Sequence, residues 1–143
     1  MVVSSDGSVS MDKQIFADAV RGCLVGGAVG DALGVPMEFL ATEEIFKCYG
    51  TAGIQEFDLD AATGKALISD DTQMTLFTAN GLLFGYTRAL YRGISAAPSV
   101  YIRDAYLDWL HTQVPDFTNT PLPSWLLEVP ELHAWRAPGR TCL

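Results

Sequence analysis

The stretch ISDDTQMTLF, residues 68–77, sets a hydroxyl and two adjacent carboxylates, Ser69, Asp70 and Asp71, directly ahead of an apolar run. Like charges repel, and neither carboxylate can enter a core unpaired. Two readings compete. In the first, the group starts a helix: Ser or Asp oxygens accept backbone N–H bonds, and negative charge suits the positive end of the helix dipole. In the second, an all-oxygen donor set on one turn faces a hard cation such as Mg2+ or Mn2+. Three such ligands are half of an octahedral shell, so the rest must come from elsewhere or from water. The residue types leave both readings open.

A second acidic group lies in GDALGVPMEF, residues 30–39, where Asp31 and Glu38 flank a Gly-Val-Pro turn. Either acid serves equally as a cap or a solvated residue. Glu38 has apolar neighbours, Met37 and Phe39, and burial among them would raise its carboxyl pKa into the range useful for acid/base work. The D-x-D pair Asp58 and Asp60, in a glycine-rich stretch, reads as a solvated turn.

Helices must position these groups. Residues 15–34 carry an apolar stripe at i, i+4 spacing, together with Gly22, Gly26, Gly30 and Gly34 in a row. Each interior glycine costs a helix roughly 0.5–1 kcal/mol, so the row predicts a closely packed backbone neighbour or a close ligand near its end. Thr42, followed by Glu43 and Glu44, predicts a cap and a short helix to about Tyr49. Residues 50–67 read as a long loop. From Asp71 to about Tyr91 a long helix is expected, with Leu76, Leu83 and Leu90 on an apolar stripe widened by Met74, Phe77 and Phe84, and a close contact at Gly81 and Gly85. Another helix is expected over 96–111, capped by Ser95 with Pro98 in its first turn. Four prolines break residues 115–130 into short pieces, with SWLLE as one or two helical turns. No strand ladder is visible, and the expected class is all-α.

The chain has 143 residues, 49% hydrophobic and 18% charged, with a net charge of −8. Its mean hydropathy is +0.20 and its pI about 4.5. One globular domain is the expectation, more apolar than usual for this length. The negative charge argues against a nucleic-acid partner, whose phosphates need Lys and Arg. Cys23, Cys48 and Cys142 form neither a CxxC pair nor a set with His at metal-ligand spacing, so reduced cytoplasmic thiols are expected. No run of 18 apolar residues suggests a membrane span. The N-terminus lacks the pattern of a signal peptide, and residues 1–12 read as a flexible tail.

Taken together, GCLVGGAVGDALGVPMEF and SDDTQMTLFTANGLL resemble the ADP-ribosylglycohydrolase family, as do WLHTQ and the terminal HAWRAPGRTCL. The family includes the ADP-ribosyl-acceptor hydrolases and the dinitrogenase-reductase-activating glycohydrolase. The resemblance covers roughly residues 13–143. It implies a compact all-α fold around two Mg2+ or Mn2+ ions. It also implies hydrolysis of the glycosidic bond joining ADP-ribose to a protein side chain or another acceptor, so the implied partner is an ADP-ribosylated protein or small ADP-ribosyl substrate. By motif match, Ser69, Asp70 and Asp71 would be metal ligands, with Asp70 and Asp71 also catalytic. Glu38 would be the acid/base or gating glutamate, and Gly139 would approach the ADP-ribose. Asp31 matches the motif, with loop support and indirect metal contact both open.

The family's second metal motif, a later D-x-D-[ST], is missing. Asp58-Leu59-Asp60 is followed by Ala61 and lies in the wrong part of the chain. Residues 13–143 are therefore expected to be the N-terminal part of the family domain, with exposed apolar faces and possible self-association. Two alternatives stand beside the hydrolase: a non-catalytic remnant or binding module of the same fold, and another Mg2+-dependent hydrolase acting on phosphate-containing substrates.

Overall fold

The computed structural model describes residues 2–3, 9–10, 12–118, 124–136 and 138–139. It is helical, with four α-helices among these residues: α1 (Lys13–Gly34), α2 (Thr42–Tyr49), α3 (Asp70–Arg92) and α4 (Pro98–Gln113). The all-α expectation holds. The only paired strands among the described residues are two short ones, β1 (Val2–Val3) and β2 (Val9–Ser10), which run antiparallel. The chain forms two units, Met1–Asp58 and Leu59–Leu143.

In the first unit, the Asp12 carboxylate starts α1 by accepting from the Gln14 and Ile15 amides at 2.7 and 3.4 Å. Pro36 then closes a 3-10 turn, Val35–Met37. The expected close packing along the glycine row is not met. A Cβ at Gly22, Gly26, Gly30 or Gly34 would touch nothing within 4 Å among the described residues. Phe16, Val20, Val25 and Val29 of α1 are exposed. The cap of α2 is displaced by one residue from the predicted place. Ala41 precedes the helix and Thr42 is already inside it, and the Glu44 carboxylate accepts from the Ala41 amide at 2.9 Å.

In the second unit, α3 starts on Ser69 and stops at Gly93, whose φ of +62° ends the helix in the left-handed region. Pro98 sits in the first turn of α4, but Ala97 rather than Ser95 precedes it. The buried face of α3 is not the leucine row. Leu83 and Leu90 are 60% and 64% exposed. Beyond the first turn, the buried residues are instead Gln73, Phe77, Gly81 and Gly85, four apart. They face a matching row on α4, Tyr101, Ala105, Trp109 and Gln113, also buried and four apart. Gly85 meets Tyr101 at one end and Gln73 meets Gln113 at the other, so the helices run antiparallel with i±4 ridges in contact. Two 3-10 turns, Trp125–Glu128 and Pro130–Leu132, bring Leu126 and Leu132 onto Phe77 and Trp109 to complete the core.

Candidate functional site

Ser69 Oγ accepts from the Asp71 amide at 3.1 Å, so the helix-cap reading is correct for Ser69. Capping uses one of the hydroxyl's two acceptor positions and does not exclude a second role. Ser69 and Asp70 are buried, whereas Asp71 is exposed on the same turn. Asp70 is 9% exposed, and no cation or hydrogen-bond donor meets its carboxylate among the described residues. Its carboxylate oxygens are not among the buried polar atoms left without a partner, so they keep contact with solvent and stay open to a cation. The donor set, one hydroxyl and two carboxylates, is all oxygen. Both facts fit a hard divalent cation. No third His, Cys, Asp or Glu gathers with the pair among the described residues.

Glu38 belongs to the first unit, at the end of the 3-10 turn, where its amide donates to Val35 O at 3.3 Å. Its side chain is exposed, and Phe39 beside it is 79% exposed, so the apolar enclosure expected around Glu38 does not form. Asp31 is half-buried near the end of α1 and has a polar partner. Gly139 is exposed in the second unit. Asp58 and Asp60 play local parts. Asp58 accepts from the Tyr49 hydroxyl at 3.4 Å. Asp60 Oδ1 accepts from the Thr63 amide and hydroxyl at 2.9 and 2.8 Å, and these bonds hold its carboxyl below the ordinary value.

One group escaped the sequence reading. Gln73 is fully buried one turn after Ser69, and its amide donates to Ser69 O at 3.4 Å. Its side-chain Oε1 accepts from Trp109 Nε1 at 3.1 Å and from Gln113 Nε2 at 2.9 Å. Its Nε2 donates to Leu132 O and Ala134 O at 3.1 and 3.2 Å. Gln113 completes the set: Nε2 also donates to Ala134 O, and Oε1 accepts from the Arg136 amide, both at 3.2 Å. The segments SDDTQ, WLHTQ and HAWR are thus joined in one buried network. A glutamine inside an apolar helical stripe was the available signal.

A separate cavity of about 180 Å³ lies further along α3, lined by Asn80, Phe84, Tyr101, Asp108 and Trp125. Asn80 there already donates to Ser124 Oγ at 3.0 Å, and Asp108 has a partner of its own. The cavity includes none of Ser69, Asp70, Asp71 or Gly139. Cys23 and Cys48 are free thiols; Cys142 lies outside the described residues. Among the described residues, no single helix is long and apolar enough to cross a membrane.

Comparison with curated proteins found no match, and neither did comparison with solved structures. The family model described as ADP-ribosylglycohydrolase matches residues 12–143. With nearly the whole chain inside that match, the protein belongs to the ADP-ribosylglycohydrolase family.

Proposed function

We propose that this chain takes part in metal-dependent hydrolysis of the glycosidic bond between ADP-ribose and a protein side chain or other acceptor. The observation that carries the proposal is the turn Ser69–Asp71, where one hydroxyl and two carboxylates stand together and no cation pairs with Asp70 among the described residues, in a glycohydrolase-family chain. Ser69, Asp70 and Asp71 would hold Mg2+ or Mn2+. When bound, the cation supplies positive charge near the sugar and lowers the pKa of water.

The chain's own groups account for the rest. A carboxylate of the turn, Asp70 or the exposed Asp71, would take a proton from water. Departure of the acceptor leaves oxocarbenium character on the ribose, and the Asp70 and Asp71 carboxylates stabilise that charge. Glu38 stands exposed on a short turn, suited to a mobile acid/base or gate. Gly139 approaches the ADP-ribose in this reading.

The test is Mg2+ titration by calorimetry on the whole chain, with release of ADP-ribose from an ADP-ribosylated protein measured alongside. Asp70→Asn is expected to weaken Mg2+ uptake by at least about tenfold and to abolish release. Ser69→Ala is expected to cost about 1 kcal/mol of helix stability and weaken uptake less. Unchanged metal affinity and turnover in Asp70→Asn and Asp71→Asn would sink the assignment. Metal uptake with no bond cleavage would favour a binding module of the same fold.

A further inference from the structure

We propose that Gln73 is a positioning residue that clamps the segment Leu132–Arg136 onto the start of α3 and so sets the affinity for ADP-ribose. The inference rests on the ADP-ribose reading above. Beyond the 3-10 turn that ends at Leu132, residues 133–136 have no regular structure to satisfy their backbone. Two buried side chains satisfy it instead. Leu132 O and Ala134 O accept from Gln73, and Ala134 O and the Arg136 amide are bound by Gln113. Buried polar groups left without such partners are costly, so these bonds fix the path of the segment that leads to Gly139. The same Gln73 lies one turn from Ser69, Asp70 and Asp71. It therefore ties the carboxylate turn and the Leu132–Arg136 segment together.

The two ends of the Gln73 amide do different work. Oε1 faces Trp109 and Gln113 on α4, whereas Nε2 faces the segment. Gln73→Glu keeps an acceptor for α4 and removes the donor to the segment. Methionine fills a similar volume and offers neither.

The test uses the full chain with Mg2+, amide hydrogen exchange read by NMR, and ADP-ribose binding read by calorimetry. In Gln73→Glu, the Arg136 amide is expected to exchange about tenfold faster while α3 and α4 amides keep their protection, and the Kd for ADP-ribose rises about tenfold. Gln73→Met carries no charge and decides the matter if the buried glutamate unfolds the chain; it is expected to release the segment likewise. Wild-type exchange and affinity in the variant that folds would overturn the inference. So would equal loss of protection in segment and helices, which marks a plain core role. If the wild type takes up no ADP-ribose, the parent reading fails and the affinity claim falls with it. The exchange arm still decides whether Gln73 positions the segment.

Discussion

The ring of Tyr101 in α4 occupies the space in which a side chain on Gly85 of α3 would stand. One turn earlier, a Cβ on Gly81 would lie 2.6 Å from the Tyr101 carbonyl oxygen and 3.0 Å from Ala105 Cβ. Backbone is the obstacle at Gly81, and a side chain packed edge-on to Phe84 is the obstacle at Gly85. Gly81→Ala and Gly85→Ala are therefore expected to separate α3 from α4. Overpacking of this kind costs about 1–3 kcal/mol, and alanine's better helix propensity returns at most about 1. A net loss of about 1–2 kcal/mol in urea unfolding is the expected outcome. Gly22→Ala, whose Cβ meets nothing, should instead slow amide exchange in α1 and stabilise it by about 0.5–1 kcal/mol. Equal effects at Gly81 and Gly22 would refute this packing account.

The same contrast shows what the sequence could carry. Glycines four apart occur on both α1 and α3, but the spacing cannot say whether a neighbour arrives. It does arrive at Gly81 and Gly85 and does not at Gly22 or Gly26 within the described residues. Helix starts were legible because caps act locally, as at Ser69 and Pro98. Which face is buried was not local. The leucines at 76, 83 and 90 pointed to a seven-residue stripe, yet α4 presents a row four apart and selects Gln73, Phe77, Gly81 and Gly85. For the candidate site, residue types and spacing singled out the Ser69–Asp71 turn and its cap at Ser69, and left the cation reading to the family resemblance. Gln73 was not legible, because its value lies in four partners 36 to 61 residues away.

The loop before α3 should respond to acid through Asp60. Its carboxylate accepts from the Thr63 hydroxyl and amide, and these bonds, with a smaller pull from Arg136, hold its pKa below the ordinary 3.8 despite the opposing effect of burial. A depressed folded-state pKa means that the stabilising contribution is complete above 3.8 and is lost as pH falls through the lower folded value. Thr63→Val removes the hydroxyl bond, so the Asp60 carboxyl should titrate at a higher pH in that variant. NMR titration of the Asp60 side chain and the Thr63 amide reads this directly. An Asp60 titration unmoved by Thr63→Val would show that the hydroxyl is not the cause.

Exposed apolar surface makes a prediction about association. Phe16 and Val25 on α1 are 54% and 62% exposed, and the helix also carries the unfilled row Gly22, Gly26 and Gly30. Water contact with such a face is unfavourable by about 25 cal/mol for each Å² of apolar area, so a second copy of the chain that covers it gains free energy. Sedimentation velocity is expected to show concentration-dependent association of the full chain. Gly26→Leu separates two causes. It adds apolar surface, so general stickiness predicts stronger association. It also blocks close approach of another backbone, so packing along the glycine row predicts weaker association. Weaker association in Gly26→Leu is the expected result, with Phe16→Lys weakening it as well through lost apolar area and added charge repulsion between copies. A monodisperse monomer for the unaltered chain across the micromolar range would remove the prediction altogether.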